Sequence, residues 1–386
     1  MGLIIPADTA ELCEAIATLA ADEESVEIRA GGSKTGLGKP ASCAHVIDLR
    51  HFAGVVDYDP PELVLTARAA TPMTEITALL AAQRQMLAFE PPDLCALLGA
   101  QGATLGGTIA CNLAGPRRVR AGAARDHFLG FAAVNGWGDA WKAGGRVVKN
   151  VTGYDMCKLQ AGAFGTLSVL HEVSVRVLPM PESSASLVLA GLGEAEAIAA
   201  MAQALNTPHE VNGAAHLPQD GARTVLRLEG PAPSVGFRAE ALRRLFGGGE
   251  ILAAAESEAL WRDIASVAPL LPTPRGAVWK VNPTPSRAAT VLAAIRAARP
   301  EASGFYDWGG GLLWVALDES GDAGEAVVRD AVAQAGGHAT LFAASDAVRA
   351  RARVFQPLDA PTAALTQRVR QSFDPREILN RGRMDH

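Results

Sequence analysis

Apolar residues along this chain keep a helical period in some stretches and a period of two in others, and the changes of period outline its elements. From Asp8 to Ala21, Leu12, Ile16, Leu19 and Ala20 share one helical stripe, and Asp8 or Thr9 stands where a cap is needed. A short strand, Val26 to Ala30, runs into the glycine-rich stretch Gly31 to Gly38, and further strands are expected at Val46 to Leu49 and Leu63 to Arg68. Thr71-Pro72 opens a second helix, where the N–H that proline lacks would have no partner anyway. Phe128 to Val134 reads as a strand leading into the turn Asn135-Gly136-Trp137-Gly138. Between Thr166 and Leu178 the chain alternates, with Leu167, Val169, Val173, Val175 and Val177 facing one way, and the strand stops at the boundary Pro179-Met180-Pro181.

Past that boundary the texture changes. Strand (Ser186 to Ala190), helix (Glu194 to Leu205), strand (Thr224 to Leu228) and helix (Gly236 to Phe246) are followed by a similar order in Val278 to Val281, Arg287 to Ala298, Leu312 to Ala316 and Ala323 to Ala335. The repetition suggests two related halves, each a helix-covered antiparallel sheet. From Ser345 the pattern is helical again, through Phe355 and Leu365. The expected organisation is an N-terminal domain over residues 1–180, an α+β cap over 181–344, and a helical segment over 345–386 that packs back on the first domain.

Composition agrees with such an enzyme-like α+β chain. Its 386 residues exceed the roughly 100–200 of one ordinary core. The content is 49% hydrophobic but only 5% aromatic, with 39 Gly and 23 Pro to make tight connections. A net charge of -6 provides no cationic field to gather nucleic acid or acidic lipid. Cys13, Cys43, Cys95, Cys111 and Cys157 lie too far apart for a zinc or iron-sulfur motif and read as reduced thiols of a cytoplasmic protein. The N-terminus lacks a basic leader region, and no apolar run reaches the roughly 20 residues that cross a bilayer. Direct membrane insertion is therefore not expected, and contact with the inner membrane would come through partner subunits.

Two glycine-rich segments carry the candidate chemistry. Consecutive glycines after a strand allow positive φ angles and turn several N–H groups inward, forming a nest for a phosphate or pyrophosphate. Gly31 to Gly38 has that form, although neither a Walker A loop nor a GxGxxG fingerprint fits it, and a plain tight loop would read the same. Gly99 to Asn112 can bring bare backbone against a flat or anionic ligand, or simply let a helix pack closely.

These segments are followed by Gly115-Pro116-Arg117-Arg118, Arg125-Asp126-His127, the run from Gly144 through Lys149-Asn150 to Tyr154-Asp155, and Gly165-Thr166-Leu167. Six ordered segments with this spacing resemble the vanillyl-alcohol-oxidase, or p-cresol-methylhydroxylase (PCMH), type of FAD-binding fold. Within it the wording is most similar to the FAD-binding E subunits of bacterial glycolate oxidases. The resemblance is strong over residues 4 to 180, thin across the middle, and returns from Asp374-Pro375 to Met384.

The resemblance implies a two-domain fold with FAD held between the parts. The backbone of Gly31, Gly32, Ser33, Lys34, Thr35 and Gly36 would cradle the pyrophosphate. Thr104, Gly106, Gly107 and Asn112 would follow the adenine-ribose and diphosphate side, and Gly165, Thr166, Leu167 and Val169 would lie near the flavin ring. Tyr154 and Asp155 would support that wall. The family's tethering histidine is missing from both loops, which leaves Cys111 as their only thiol and implies noncovalent FAD. Arg117, Arg118 and Arg125 would recognise a carboxylate or diphosphate, or pair with acidic residues of a partner subunit. The implied partners are a second flavoprotein subunit and an iron-sulfur subunit, and the implied substrate is a small 2-hydroxy acid such as glycolate. His209 and His216, the pair singled out in the cap, match no family metal or base pattern and read as loop or surface residues, so no general base emerges. Two other readings remain open: a stand-alone FAD oxidase of a small hydroxy acid or alcohol, and a catalytically silent flavin-fold scaffold.

Overall fold

The N-terminal helix forms as its stripe requires: Thr9–Ala21 is helical, and the Asp8 side chain accepts from the N–H groups of Ala10 and Glu11. Its buried Leu12, Ile16 and Leu19 pack on Val26 and Ile47 of a three-stranded parallel sheet, in which His45–Asp48 lies between Gly2–Ile4 and Val26–Arg29. The computed structural model describes residues 2–145, 153–219, 221–271 and 276–385. Arg146 to Thr152, part of the segment that carries the family resemblance, lie outside the described residues.

A second, antiparallel sheet has the order Val55–Asp59, Val64–Arg68, Ser168–Arg176, Phe128–Asn135, Ala140–Gly144. The long strand Ser168–Arg176 corrects the single-face reading of its alternation. Its register against Phe128–Asn135 slips between Ala132 and Ala133, where Glu172 and Leu170 are the successive partners. The extra residue flips the side-chain parity. Val169 therefore packs with the N-terminal helix and parallel sheet, while Leu170, Val173 and Val175 fill the core on the other side. The helix Met73–Ala82 begins just after Pro72, which is extended and serves as its N-cap.

Beyond Pro181 the expected repeat is present, but its two halves do not form separate sheets. One eight-stranded antiparallel sheet runs in the order Glu250–Leu252, Ser183–Ala190, Arg223–Gly230, Gly213–Leu217, Ser303–Asp307, Leu312–Asp318, Gly276–Pro283, Gly337–Ala343. Each half is a βαββαβ unit, and the halves join edge to edge at His216 and Tyr306. Joining buries one open edge of each half. The helices Glu194–Leu205, Ala232–Leu245, Ala288–Ala298 and Glu325–Ala335 cover one face, burying Leu187, Trp279 and Val315. The opposite face, with Val188, Phe305, Trp314 and Phe342, packs on Leu37, Leu94 and Leu113 of the N-terminal region and on the helix Ala254–Ala265.

The tail is not one helix. Asp346–Arg351 and Ala360–Phe373 are helical, and the link between them contains Pro357, which has no N–H to continue a helix. The chain then returns to the first sheet. Val26 donates to the Ile378 carbonyl at 2.9 Å, and Asn380 donates to the Val26 carbonyl at 2.8 Å. Leu379 thereby lies parallel to Val26 as a one-residue extension of the sheet.

Candidate functional site

The parallel and antiparallel sheets leave a cleft between them. Ile28, Ala30 and Leu49 line one side; Ala69, Ser168 and Val169 line the other. Both glycine-rich segments reach its mouth, and they touch. A Cβ placed on Gly31 would sit 1.6 Å from the Gly102 carbonyl oxygen, so that residue is glycine because two backbones meet there.

The first loop has the groups needed to hold an anion. Gly32 takes φ +74° with open space around it. Thr35 and Leu37 donate their N–H groups back to Gly32 and Lys34, closing the loop on itself. Among the described residues, the N–H groups of Gly31, Gly32, Ser33 and Lys34 donate to no protein acceptor. A run of free donors at the end of a buried strand is a cradle for phosphate oxygens. Lys34 lines the cleft beside it; burial holds its pKa below the ordinary lysine value. Gly36 and Ser33 belong to the same loop, with Ser33 buried and its hydroxyl accepting from Lys34.

The second segment is built differently. Thr104 caps the short helix Leu105–Ala110, accepting from the Gly107 N–H. Leu105, Gly106 and Thr108 donate to Thr71, Ala69 and Thr104, so no N–H from Leu105 to Thr108 is left for an anion. Its contribution is a surface without side chains: Gly106, Gly107 and Ala110 line the cleft. Asn112 takes a left-handed conformation and accepts from the Arg125 N–H, away from the lining. Gly165 and Val169 line the cleft, whereas Thr166 is buried with its hydroxyl on the Ala163 carbonyl, and Leu167 is buried. Asn380 and Arg383 of the returning tail complete the lining. The Asn380 amide donates to the Phe164 carbonyl and accepts from the Ile28 N–H, and Arg383 pairs with Glu27 at 2.8 Å.

Several expected roles change. Tyr154 is 94% exposed and supports no wall, while Asp155 caps the helix Met156–Gln160. The three arginines do not act as one cluster. Arg117 pairs with Glu229 at 2.6 Å and Glu90 at 3.1 Å in this same chain, and Arg125 donates to the Lys158 carbonyl. Glu90 also holds Arg227 at 2.8 Å, so this buried network ties the N-terminal region to the eight-stranded sheet. His216 is no surface residue: it is fully buried in a strand beside Tyr306, with Nδ1 on the Thr224 hydroxyl. Cys111 lies in the cleft, and burial pushes its thiol up to about 11 against the opposing pull of Lys34 and Arg383. Such a thiol stays protonated and unreactive at neutral pH.

A second, narrow cavity was not foreseen. The segment that contributes Gly106 to Cys111 to the cleft continues as Leu113, Ala114, Gly115 and Pro116 along this cavity, under Lys280, Asp307, Trp314 and Phe342 of the large sheet. Burial lowers Lys280 to about 8, assisted by the Arg118 charge. Burial also raises Asp307 to about 7, with Glu90 adding to the rise while the Trp308 N–H and Arg227 oppose it. Paired perturbations of this size in one cavity are a mark of functional sites. The only trace in the sequence is a lone lysine between Trp279 and Val281; which face it occupies depends on the register of the whole sheet.

Comparison with known proteins places this architecture. Residues 2–144 match the family described as FAD binding domain. The whole fold is similar to that of p-cresol methylhydroxylase with substrate bound (TM-score 0.72, 13% identity, covering 99% of this chain and 88% of that one). It is also similar to alkyldihydroxyacetonephosphate synthase (TM-score 0.70, 13% identity, covering 98% of this chain and 76% of that one). The fold is thus the PCMH type of FAD-binding fold, and the cofactor of the chain is FAD. Glycolate oxidase subunit GlcE of Escherichia coli (strain K12) is 35% identical over 374 residues, which are 97% of this chain and 96% of that protein. The chain belongs to the GlcE family of FAD-linked oxidoreductase subunits. Glycolate oxidase subunit GlcD of Bacillus subtilis (strain 168) is 30% identical over 189 residues, covering 48% of this chain and 38% of that protein.

Proposed function

We propose that this chain is the FAD-binding subunit of a multi-subunit glycolate (2-hydroxy acid) oxidase or dehydrogenase, which passes electrons to a second flavoprotein subunit and an iron-sulfur subunit. The observation that carries the reading is the likeness to GlcE along nearly the whole chain. The free N–H groups of Gly31 to Lys34 support it independently, because they suit a pyrophosphate.

In this reading the backbone of residues 31–36 binds the diphosphate, and Lys34 adds a positive charge beside it. Gly106 and Gly107 offer a flat wall, with Thr104 and Asn112 shaping the segment from behind. Gly165 and Val169 form the wall toward the flavin ring, with Thr166 and Leu167 packed behind it. FAD is held noncovalently, since Cys111 is kept as a thiol by burial. When bound, the flavin supplies the two-electron acceptor for oxidation of glycolate to glyoxylate. The protein's part is orientation and exclusion of water, with residues 1–180 as the FAD domain, 181–344 as the cap, and 345–386 closing the site. Among the described residues no helix is long and apolar enough to cross a membrane, so membrane contact is assigned to partner subunits.

The test is to copurify the chain with its native neighbours and to mix the complex, and this chain alone, with glycolate. Bleaching of the flavin in the complex, with electrons reaching an iron-sulfur subunit, is expected. A flavin-loaded complex that glycolate leaves oxidised would sink the reading.

A further inference from the structure

The first glycine loop differs between its two kinds of backbone group. Its N–H groups from Gly31 to Lys34, and that of Gly36, donate to no protein acceptor among the described residues. Four of its carbonyls, by contrast, are occupied. Gly32 accepts from the Thr35 N–H and hydroxyl, and Lys34 accepts from the Leu37 N–H at 3.0 Å and from the Arg383 guanidinium at 3.3 Å. At the exit of the loop the Gly38 carbonyl accepts from Arg349 Nη1 at 2.5 Å, and the same nitrogen reaches the Thr35 carbonyl at 3.4 Å.

Arg349 comes from the helix Asp346–Arg351, 311 positions from Gly38, and is buried. Its carboxylate partner, Asp346 at 2.6 Å, has a side chain 84% exposed, and its Nε is buried with no protein partner among the described residues. Arg383 is matched differently, because Glu27, which holds it at 2.8 Å, is buried as well. Water screens the field of an exposed carboxylate far more than that of an enclosed one, so of the two charges that of Arg349 is the less compensated. Gly38, at φ +77°, is clamped between these arginines: an added Cβ would lie 2.8 Å from the Arg383 carbonyl oxygen. In a trans peptide the C=O and the following N–H point in opposite directions. A guanidinium that draws the Thr35 carbonyl to one side therefore turns the Gly36 N–H to the other.

We infer that Arg349 is a positioning residue for the FAD diphosphate, fixing the far end of the loop and placing a weakly compensated positive charge at its carbonyls. This rests on reading residues 31–36 as the diphosphate cradle and deepens it: the strength of the cradle is set in part by a tail residue that is not in the cleft lining. The neighbouring charges do not oppose it. Lys34 lines the cleft, Arg383 is paired with Glu27, and Asp346 is open to solvent. A charged donor on a peptide carbonyl also polarises that peptide and strengthens its own N–H as a donor. Through the Thr35 carbonyl that gain falls on Gly36, inside the cradle.

FAD is titrated into the apoprotein of each variant, and the saturated holoproteins are compared by phosphorus NMR of the diphosphate and by visible absorbance of the flavin. Arg349→Met should weaken FAD about tenfold, the scale of one hydrogen bond to a charged group. It should move the diphosphate resonances and leave the flavin spectrum as in wild type. Arg349→Lys, which keeps the charge, should recover most of the affinity. Asp346→Asn, at an exposed position, keeps the fold and should bind FAD at least as tightly as wild type, since it removes only the counter-charge. That variant decides the matter if Arg349→Met does not fold. Wild-type affinity in Arg349→Met, a loss of affinity with unmoved phosphorus resonances, a lysine variant no tighter than the methionine one, or weaker FAD in Asp346→Asn would each overturn the inference. Gly32→Val, run alongside, separates it from the cradle reading. If Gly32→Val loses FAD while Arg349→Met binds normally, the inference fails and the cradle stands. If Gly32→Val binds FAD normally, the cradle reading fails and the inference falls with it.

Discussion

Two glycine-rich segments meet at one cleft, and glycine serves a different purpose in each. In residues 31–36 it leaves backbone donors free: four successive N–H groups have no protein acceptor among the described residues. In residues 105–108 the donors are all consumed, and glycine only removes side chains, letting Gly106 lie against Ala69 and giving the cleft a bare wall. The same composition can therefore mean an electrostatic cradle or a steric clearance. The hydrogen bonds distinguish them.

The comparison can be broken most forcefully at Gly31. In Gly31→Val, the new Cβ would stand 1.6 Å from the Gly102 carbonyl oxygen, so the two segments must part. The expected cost is at least about 3 kcal/mol, or roughly 6 °C or more in Tm, together with loss of flavin from the purified protein. Absorbance at flavin wavelengths and thermal unfolding check both. Gly32→Val meets no clash but must hold a β-branched residue at φ +74°, a strain of about 1–2 kcal/mol. The fold should survive while flavin affinity falls about tenfold, read by titrating FAD into apoprotein; undiminished affinity would deny the first loop its role.

The second segment should respond in the opposite sense. Thr104→Ala removes the cap on Leu105–Ala110 and should cost about 1 kcal/mol of stability, measured by denaturant unfolding, with flavin affinity within about twofold of wild type. Gly107→Ala should do least. Its added carbon would lie 3.2 Å from the Thr104 hydroxyl, and a change within about 0.5 kcal/mol is expected because alanine also favours the helix. A large loss of flavin from Gly107→Ala at normal stability would show that the bare wall at Gly107 must stay clear of even one methyl group.

Much of the scaffold was legible because its signals are local. The stripe ending at Leu19 with its Asp8 cap, the helix Glu194–Leu205, and the repeated strand-helix order past Pro181 all depend on near neighbours in sequence. The first loop was legible only as a tight glycine-rich turn after a strand; its reading as a cradle rather than a plain loop came from the family resemblance. What stayed hidden depends on register. The bulge opposite Ala132 and Ala133 that turns Val169 away from Val173 has no residue signature, and neither does the joining of two half-sheets through His216 and Tyr306. Lys280 and Arg118 are 162 positions apart and meet only because a strand of the large sheet settles over the segment after Cys111; a list of basic residues grouped Arg118 with Arg117 and Arg125 instead. Arg117 was misread because Glu229, its partner, is 112 positions away in sequence and belongs to this same chain.

The closing contact at Asn380 sets a condition on how this protein acquires its cofactor. Asn380 reaches back 352 positions to bond Ile28, and Arg383 sits beside Glu27 and the Lys34 carbonyl. During synthesis the cradle strand leaves the ribosome early, yet the cleft beside it lacks this side until residues 380–383 have emerged as well. A yellow chain is therefore expected to be one synthesised at least as far as Arg383. Interrupted translation or trimming before Asn380 should leave a cradle that cannot retain FAD, which makes cofactor loading a check on the integrity of the whole polypeptide before it joins an assembly.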